Sequence, residues 1–127
     1  MKHEYIKGML YPRVKDYTSD SAMELLSVAD VVITDYSAIM FDSTIMEIPM
    51  VFYCPDYDTY DCDFYLKYER DVPGEIITDP AELLEAVRRA KDNSFESSIK
   101  AFKEREMGAC DGSSTKRVCE LIEGYLR

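Results

Sequence analysis

The stretch that decides the fold is Ala29-Asp30-Val31-Val32-Ile33-Thr34-Asp35-Tyr36-Ser37-Ala38-Ile39-Met40-Phe41-Asp42. Its first half, from Asp30 to Thr34, is β-branched and shows no apolar–polar alternation. That is the pattern of a strand covered on both faces, which occurs in parallel sheets with helices on each side. Asp35-Tyr36-Ser37 reads as a turn. From Ala38 to Glu47 the apolar residues Ile39, Met40, Ile45 and Met46 fit a helix, and Pro49 ends it.

The same alternation continues outward. Upstream, the cap-forming cluster Ser19-Asp20-Ser21 and the apolar positions Met23, Leu26 and Ala29 predict a helix over 21–29. Downstream, Met50-Val51-Phe52-Tyr53 reads as a second buried strand. Residues 54–74 are acidic and tyrosine-rich, broken by Pro55, Pro73 and Gly74, and long enough to hold a short helix. Glu75-Ile76-Ile77-Thr78 reads as a third strand. Asp79-Pro80-Ala81-Glu82 carries a capping Asp, a Pro at the first helical position and a reciprocal Glu, so a helix follows with Leu83, Leu84, Val87 and Ala90 inward. Ser94 reads as the cap of a helix carrying Phe95, Ile99 and Phe102, stopped at Gly108. After the turn Asp111-Gly112-Ser113-Ser114, the residues Val118, Leu121, Ile122 and Tyr125 mark a last helix. Strands alternating with helices predict an α/β fold, a Rossmann-like parallel sheet flanked by helices, in one domain over residues 1–127. A free-standing doubly wound domain has five or six strands. The shortfall predicts strands hidden in 1–18, or a chain that is the C-terminal part of a larger domain.

Charge narrows the function. Asp plus Glu number 25 and Lys plus Arg 15, a formal net charge of −10. Nucleic acid requires a concentrated basic face, and anionic lipid a basic patch; neither is present. No apolar run approaches the roughly 18 residues of a membrane span, and residues 1–5 lack a signal-peptide layout. The four cysteines form no C-x-x-C pair, and the single histidine, His3, is far from them in sequence. Zinc is therefore not expected, and reduced cytosolic thiols are. Asp56, Asp58, Asp61 and Asp63, interleaved with Tyr53, Tyr57, Tyr60 and Tyr65, invite a calcium reading. The central glycine of such a loop is missing and Pro55 intrudes, so an acidic loop is the reading adopted. No metal and no cofactor is expected.

The passage from Thr34 to Asp42 also holds the candidate chemistry. In open α/β sheets, ligands bind at the carboxyl edge of the strands. Small residues at Ser37 and Ala38 leave their N–H groups accessible, and the helix dipole favours an anion there. The Ser37 hydroxyl adds a donor, and the Asp42 carboxylate is able to accept from ribose hydroxyls. The alternative is that Ser37 only caps the helix and Asp42 is a solvated helix residue. His3, between Lys2 and Lys7, suits a general acid, a base or a phosphate contact, or is a plain surface residue. The turn at 111–114 is either a second phosphate cradle or a helix cap.

Three passages, ELLSVADVVITDYSAIMFDSTIMEIPMVFYCPDYDTY (24–60), VPGEIITDPAELLEAV (72–87) and DGSSTKRVCELI (111–122), resemble the C-terminal part of the CDP-glycerol glycerophosphotransferases, the teichoic acid polymerases and primases. The resemblance implies a GT-B architecture of two Rossmann-like domains, of which this chain would be the C-terminal, donor-binding part. It implies binding of CDP-glycerol, transfer of glycerol phosphate to a teichoic acid chain with release of CMP, and work at the cytoplasmic face of the cell membrane. By position, Ser37 and Ala38 match a serine pair that binds the donor diphosphate, with Ala38 lacking the second hydroxyl. Asp42 matches an acidic donor contact. Met1, Lys2 and His3 fall at a donor-binding segment, with His3 the catalytic candidate, although Glu4 follows it where the family has proline. The family's H-G-T motif is absent. The resemblance therefore predicts no polymerase activity for the chain alone, and an unpaired sheet edge open to a second copy. Two other classes stay open: another nucleotide-sugar transferase or epimerase, and a non-catalytic interaction domain.

Overall fold

The protein is described by a computed structural model that covers residues 14–17, 19–60, 66–92 and 94–126. The chain runs α1 (Ala22–Leu26), β1 (Val32–Thr34), α2 (Ile39–Ile45), β2 (Met50–Tyr53), α3 (Tyr68–Asp71), β3 (Gly74–Ile77), a 3₁₀ turn (Pro80–Glu82), α4 (Leu83–Lys91), α5 (Glu96–Met107) and α6 (Ser114–Tyr125). The three strands form one sheet in the order β1-β2-β3. Both pairings are parallel, with Val32 opposite Met50 and Met50 opposite Gly74. The expected α/β class is the one observed.

β2 is the centre of the molecule: Met50, Val51 and Phe52 have no exposed surface at all. Side chains alternate across a strand, so β2 feeds two cores. Met50 and Phe52 join Met40 of α2, Tyr68 of α3 and Phe102 of α5 on one face. Val51 joins Ile77 of β3 and Ala86 and Ala90 of α4 on the other. The two alanines lie one turn apart, and their small size lets the α4 backbone close onto the sheet. Arg89 of α4 clamps β3 with two parallel bonds to the Glu75 carboxylate, at 2.9 and 2.6 Å. Each large apolar side chain buried in these layers contributes about 1.5–3 kcal/mol.

Element boundaries differ from expectation where tertiary contacts decide them. α1 is shorter than the expected 21–29, and the Ser27 hydroxyl donates to the Glu24 carbonyl at its end, at 2.7 Å. α2 stops before Pro49 in a Schellman turn: Ile48 N–H donates to Ser43 O and Glu47 N–H to Thr44 O. Glu47 takes the left-handed position at φ 57, where glycine is usual. Asp79 caps as expected, accepting from the Ala81 N–H at 2.8 Å. Ser94 does not cap α5; Phe95 holds the half-in position, and no side chain bonds the helix start. α6 exists, yet none of its residues is buried. Val118, Leu121 and Ile122 form its apolar stripe and are exposed.

β3 begins one residue earlier than the sequence predicts, at Gly74. A Cβ there would lie 2.4 Å from the Met50 carbonyl oxygen, so only glycine allows β3 to approach β2 at this point. Gly124, in α6, faces open space. Gly74→Ala is expected to lower the unfolding free energy by about 2 kcal/mol or more, whereas Gly124→Ala raises it by about 0.5–1 kcal/mol. Paired denaturant titrations check this; equal effects at the two sites would contradict the close packing assigned to Gly74.

Candidate functional site

Because β1 and β2 are parallel neighbours, their carboxyl ends share one edge of the sheet. Asp35, Tyr36 and Ser37 leave β1 there, and Tyr53, Pro55, Asp56 and Tyr60 leave β2. Together they line a cleft of about 400 Å³. Its position is the one at which open α/β sheets bind ligands.

The β1–α2 turn forms one wall. Ala38 already has helical geometry, φ −62 and ψ −11, and opens α2 without a side-chain cap. The Ser37 hydroxyl accepts from the Ile39 N–H at 3.4 Å, longer than a good hydrogen bond. The cap reading of Ser37 is thus met only by a long contact. Among the described residues, neither the Ser37 nor the Ala38 N–H donates to a protein acceptor, while the Ser37 and Ala38 carbonyls accept from Met40 and Phe41. Two donors therefore remain available beside the cleft. Asp42 lies in the first turn of α2, half-buried, four residues after Ala38 and so on the same side of the helix. It does not line the cleft. Met1, Lys2 and His3 lie outside the described residues.

Tyrosines tie the site together. The Tyr36 hydroxyl donates to Asp56 Oδ1 at 3.1 Å, and its ring stacks on Tyr60 with centroids 3.8 Å apart. The Tyr68 hydroxyl, from α3, donates to the Asp35 backbone carbonyl at 2.7 Å. Burial pushes both phenols above their usual range, with the Asp56 bond adding for Tyr36 and the nearby Cys54 and Asp35 for Tyr68. Both hydroxyls are accordingly neutral donors at physiological pH. Cys54 is fully buried below them, and burial raises its thiol too, so it is no ready nucleophile.

The charge of the cleft is one-sided. Its described lining holds the carboxylates of Asp35 and Asp56 and no cation. Both carboxylates are exposed, as are Ser37 and Ala38 beside them. The turn at 111–114 is no phosphate cradle: Asp111 Oδ1 accepts from the Ser113 N–H at 2.9 Å and from Arg117. Those bonds hold the Asp111 carboxyl below its usual range. Among the described residues no group of His, Cys, Asp and Glu is arranged to hold a metal ion; Asp61 and Asp63 fall outside them. No helix there is long and apolar enough to cross a membrane. Sequence reasoning placed Asp56 and Tyr60 in a plain acidic loop; the strand-edge rule that found Ser37, applied to β2, points to them as well.

Comparison with known proteins follows the same lines. Residues 4–124 match the family described as CDP-Glycerol:Poly(glycerophosphate) glycerophosphotransferase. The teichoic acid ribitol-phosphate primase of Bacillus spizizenii is 32% identical over 131 residues, covering 98% of this chain and 33% of that protein. The teichoic acid glycerol-phosphate transferase of Staphylococcus aureus is 31% identical, covering 86% of this chain and 29% of that protein. The solved wall teichoic acid polymerase TagF superposes with a TM-score of 0.67 at 33% identity, over 80% of this chain and 26% of TagF. A TagF histidine-to-asparagine variant soaked with CDPG superposes with a TM-score of 0.67. The chain thus spans about a third or less of the length of these relatives. With 121 of its 127 residues inside the matched segment (4 to 124, inclusive), the chain belongs to the CDP-glycerol:poly(glycerophosphate) glycerophosphotransferase family.

Proposed function

We propose that this chain supplies the donor-binding half of a centre that moves glycerol phosphate from CDP-glycerol to a teichoic acid chain. The observation that carries the reading is the pair of N–H groups at Ser37 and Ala38, unengaged among the described residues and set at the carboxyl edge of β1. The likeness to TagF, solved after a soak with CDPG, supports it. The Ser37 and Ala38 amides take oxygens of the donor diphosphate, and the Ser37 hydroxyl adds one donor. Asp42 accepts from the ribose hydroxyls. Loss of the second serine hydroxyl at Ala38 leaves its N–H intact, so binding survives with one bond fewer.

The reaction is a displacement at phosphorus. The terminal hydroxyl of the acceptor attacks the phosphorus that bears glycerol, and its oxygen forms the new P–O bond. The bond to the bridging oxygen breaks, and CMP departs with that oxygen. Such transfers depend on placing the reactants and on donors aimed at the charge that builds on non-bridging oxygens. Ser37 and Ala38 hold the phosphate that leaves. Since the described cleft lining has no cation, the counter-charge falls to Lys2 and His3, with His3 able to protonate or neutralise the departing group. Activation of the acceptor hydroxyl belongs to the H-G-T-bearing part of the larger enzymes, so this chain alone makes no polymer. In this reading the work takes place at the cytoplasmic membrane face.

Titrating the ¹⁵N-labelled chain with CDP-glycerol is expected to move the Ser37 and Ala38 amide resonances, and a UDP-sugar to move them less. Asp42→Asn is expected to weaken binding about tenfold, the equivalent of one charged hydrogen bond of about 1.4 kcal/mol. Unmoved amides at millimolar CDP-glycerol would contradict the assignment.

One observation favours a second reading, an interaction module. Among the described residues the outer edge of β1 pairs with no strand, and Ile33 on it is 50% exposed. Unpaired edges recruit a further strand. If a second copy fills this edge, sedimentation shows a dimer that Ile33→Lys dissociates; a monomer at all concentrations rejects this reading.

A further inference from the structure

On its helix side the β1–α2 turn is closed locally: the Ser37 and Ala38 carbonyls accept from the Met40 and Phe41 N–H groups, and the Ser37 hydroxyl from the Ile39 N–H. The Ser37 and Ala38 amides themselves make no bond among the described residues. On the strand side, two ties come from far along the chain. Tyr68, 33 residues away, donates its hydroxyl to the Asp35 carbonyl, the last acceptor before the turn. Tyr36, inside the turn, donates to Asp56 on the loop after β2, 20 residues away.

Both hydroxyls are delivered by rings that have little freedom. Tyr68 is 4% exposed and meets Phe52 of the central strand edge-on, at 5.7 Å between centroids. Tyr36 lies between Tyr60, stacked at 3.8 Å, and Tyr68, tilted at 5.5 Å. The Asp35 carbonyl belongs to the peptide unit that leads into Tyr36, so holding it sets the plane from which the next two amides follow. The central strand is thereby coupled through Phe52, Tyr68 and Asp35 to the two donors at the mouth.

We propose that the Tyr36 and Tyr68 hydroxyls are positioning groups for donor binding: they hold the turn in the one orientation that leaves the Ser37 and Ala38 amides free for an anion. They need no contact with the ligand. A site whose donors are fixed before binding loses less freedom when the ligand arrives, and its affinity gains accordingly. The proposal rests on the donor-binding reading above and adds the residues that set its geometry.

Tyr36→Phe and Tyr68→Phe each delete one oxygen and keep the ring. In the ligand-free chain, each is expected to shift or broaden the Ser37 and Ala38 amide resonances. Each is also expected to weaken CDP-glycerol binding fivefold or more. Phe102→Leu, in the core beneath, serves as control: it lowers the melting temperature and leaves affinity unchanged at temperatures where the protein is folded. Wild-type resonances and wild-type affinity in both tyrosine variants would overturn the proposal. Should the wild-type chain itself fail to bind CDP-glycerol, the donor-binding reading falls and the role in donor binding with it; the ligand-free resonances then decide the hold on the turn alone: displaced, they sustain it; unmoved, they reject it. If Tyr68→Phe does not fold, Tyr36→Phe, whose ring lies nearer the surface, decides by the same criteria.

Discussion

Burial of β2 on both faces is the constraint from which the rest follows. Met50, Val51 and Phe52 have no contact with solvent, and each belongs to one of two cores that lie on opposite sides of the sheet. A strand with this environment has no tolerance for slippage, because a shift of one residue would exchange the two cores. Its register with β1 and β3 is therefore fixed, and with it the level at which β1 ends. The close approach of Gly74 to the Met50 carbonyl shows how tightly that level is set. The site is built where β1 stops, so the geometry of the mouth is inherited from the core rather than from its own loop.

The cleft carries two kinds of polar group. Among the described residues the Ser37 and Ala38 amides meet no protein acceptor, while two carboxylates and three tyrosines line the cleft beside them. The donor proposed above, a nucleotide diphosphate carrying a polyol, is anionic in the middle and hydroxyl-bearing at both ends. Its proposed seat does not rest on helix-dipole attraction, since α2 has only seven residues and a short helix offers little field of its own. The chain as a whole is acidic, with a formal net charge of −10, which makes an anionic ligand depend on local donors.

Much of the fold is legible in local sequence. β2 is an unbroken apolar run that is covered on both faces as expected, whereas β1, expected to be covered likewise, leaves Ile33 half exposed because it lies at the sheet edge of the described residues; the capping signal at Asp79 is local chemistry that the structure repeats. What could not be read depends on residues distant in the chain. Gly74 looks like loop punctuation until the Met50 carbonyl is seen beside it. The apolar stripe of α6 is plain in the sequence, but coverage of a stripe is a tertiary fact, and here it is exposed. Ser94 has good capping chemistry, yet Phe95, packed against the core on the α4 side, sets where α5 begins. At the site, Ser37 was found because the strand-edge rule is local. Tyr68 was not, because its bond to Asp35 spans 33 residues and leaves no periodic trace.

The central claim is that the corner where β1 passes into α2 grips the diphosphate of the donor. Its most direct test is an experimental structure of this chain with CDP-glycerol bound. The account predicts phosphate oxygens about 2.7–3.2 Å from the Ser37 and Ala38 backbone nitrogens, with the Asp42 carboxylate on ribose hydroxyls. An ordered donor elsewhere on the molecule, with those two nitrogens unliganded, would contradict it.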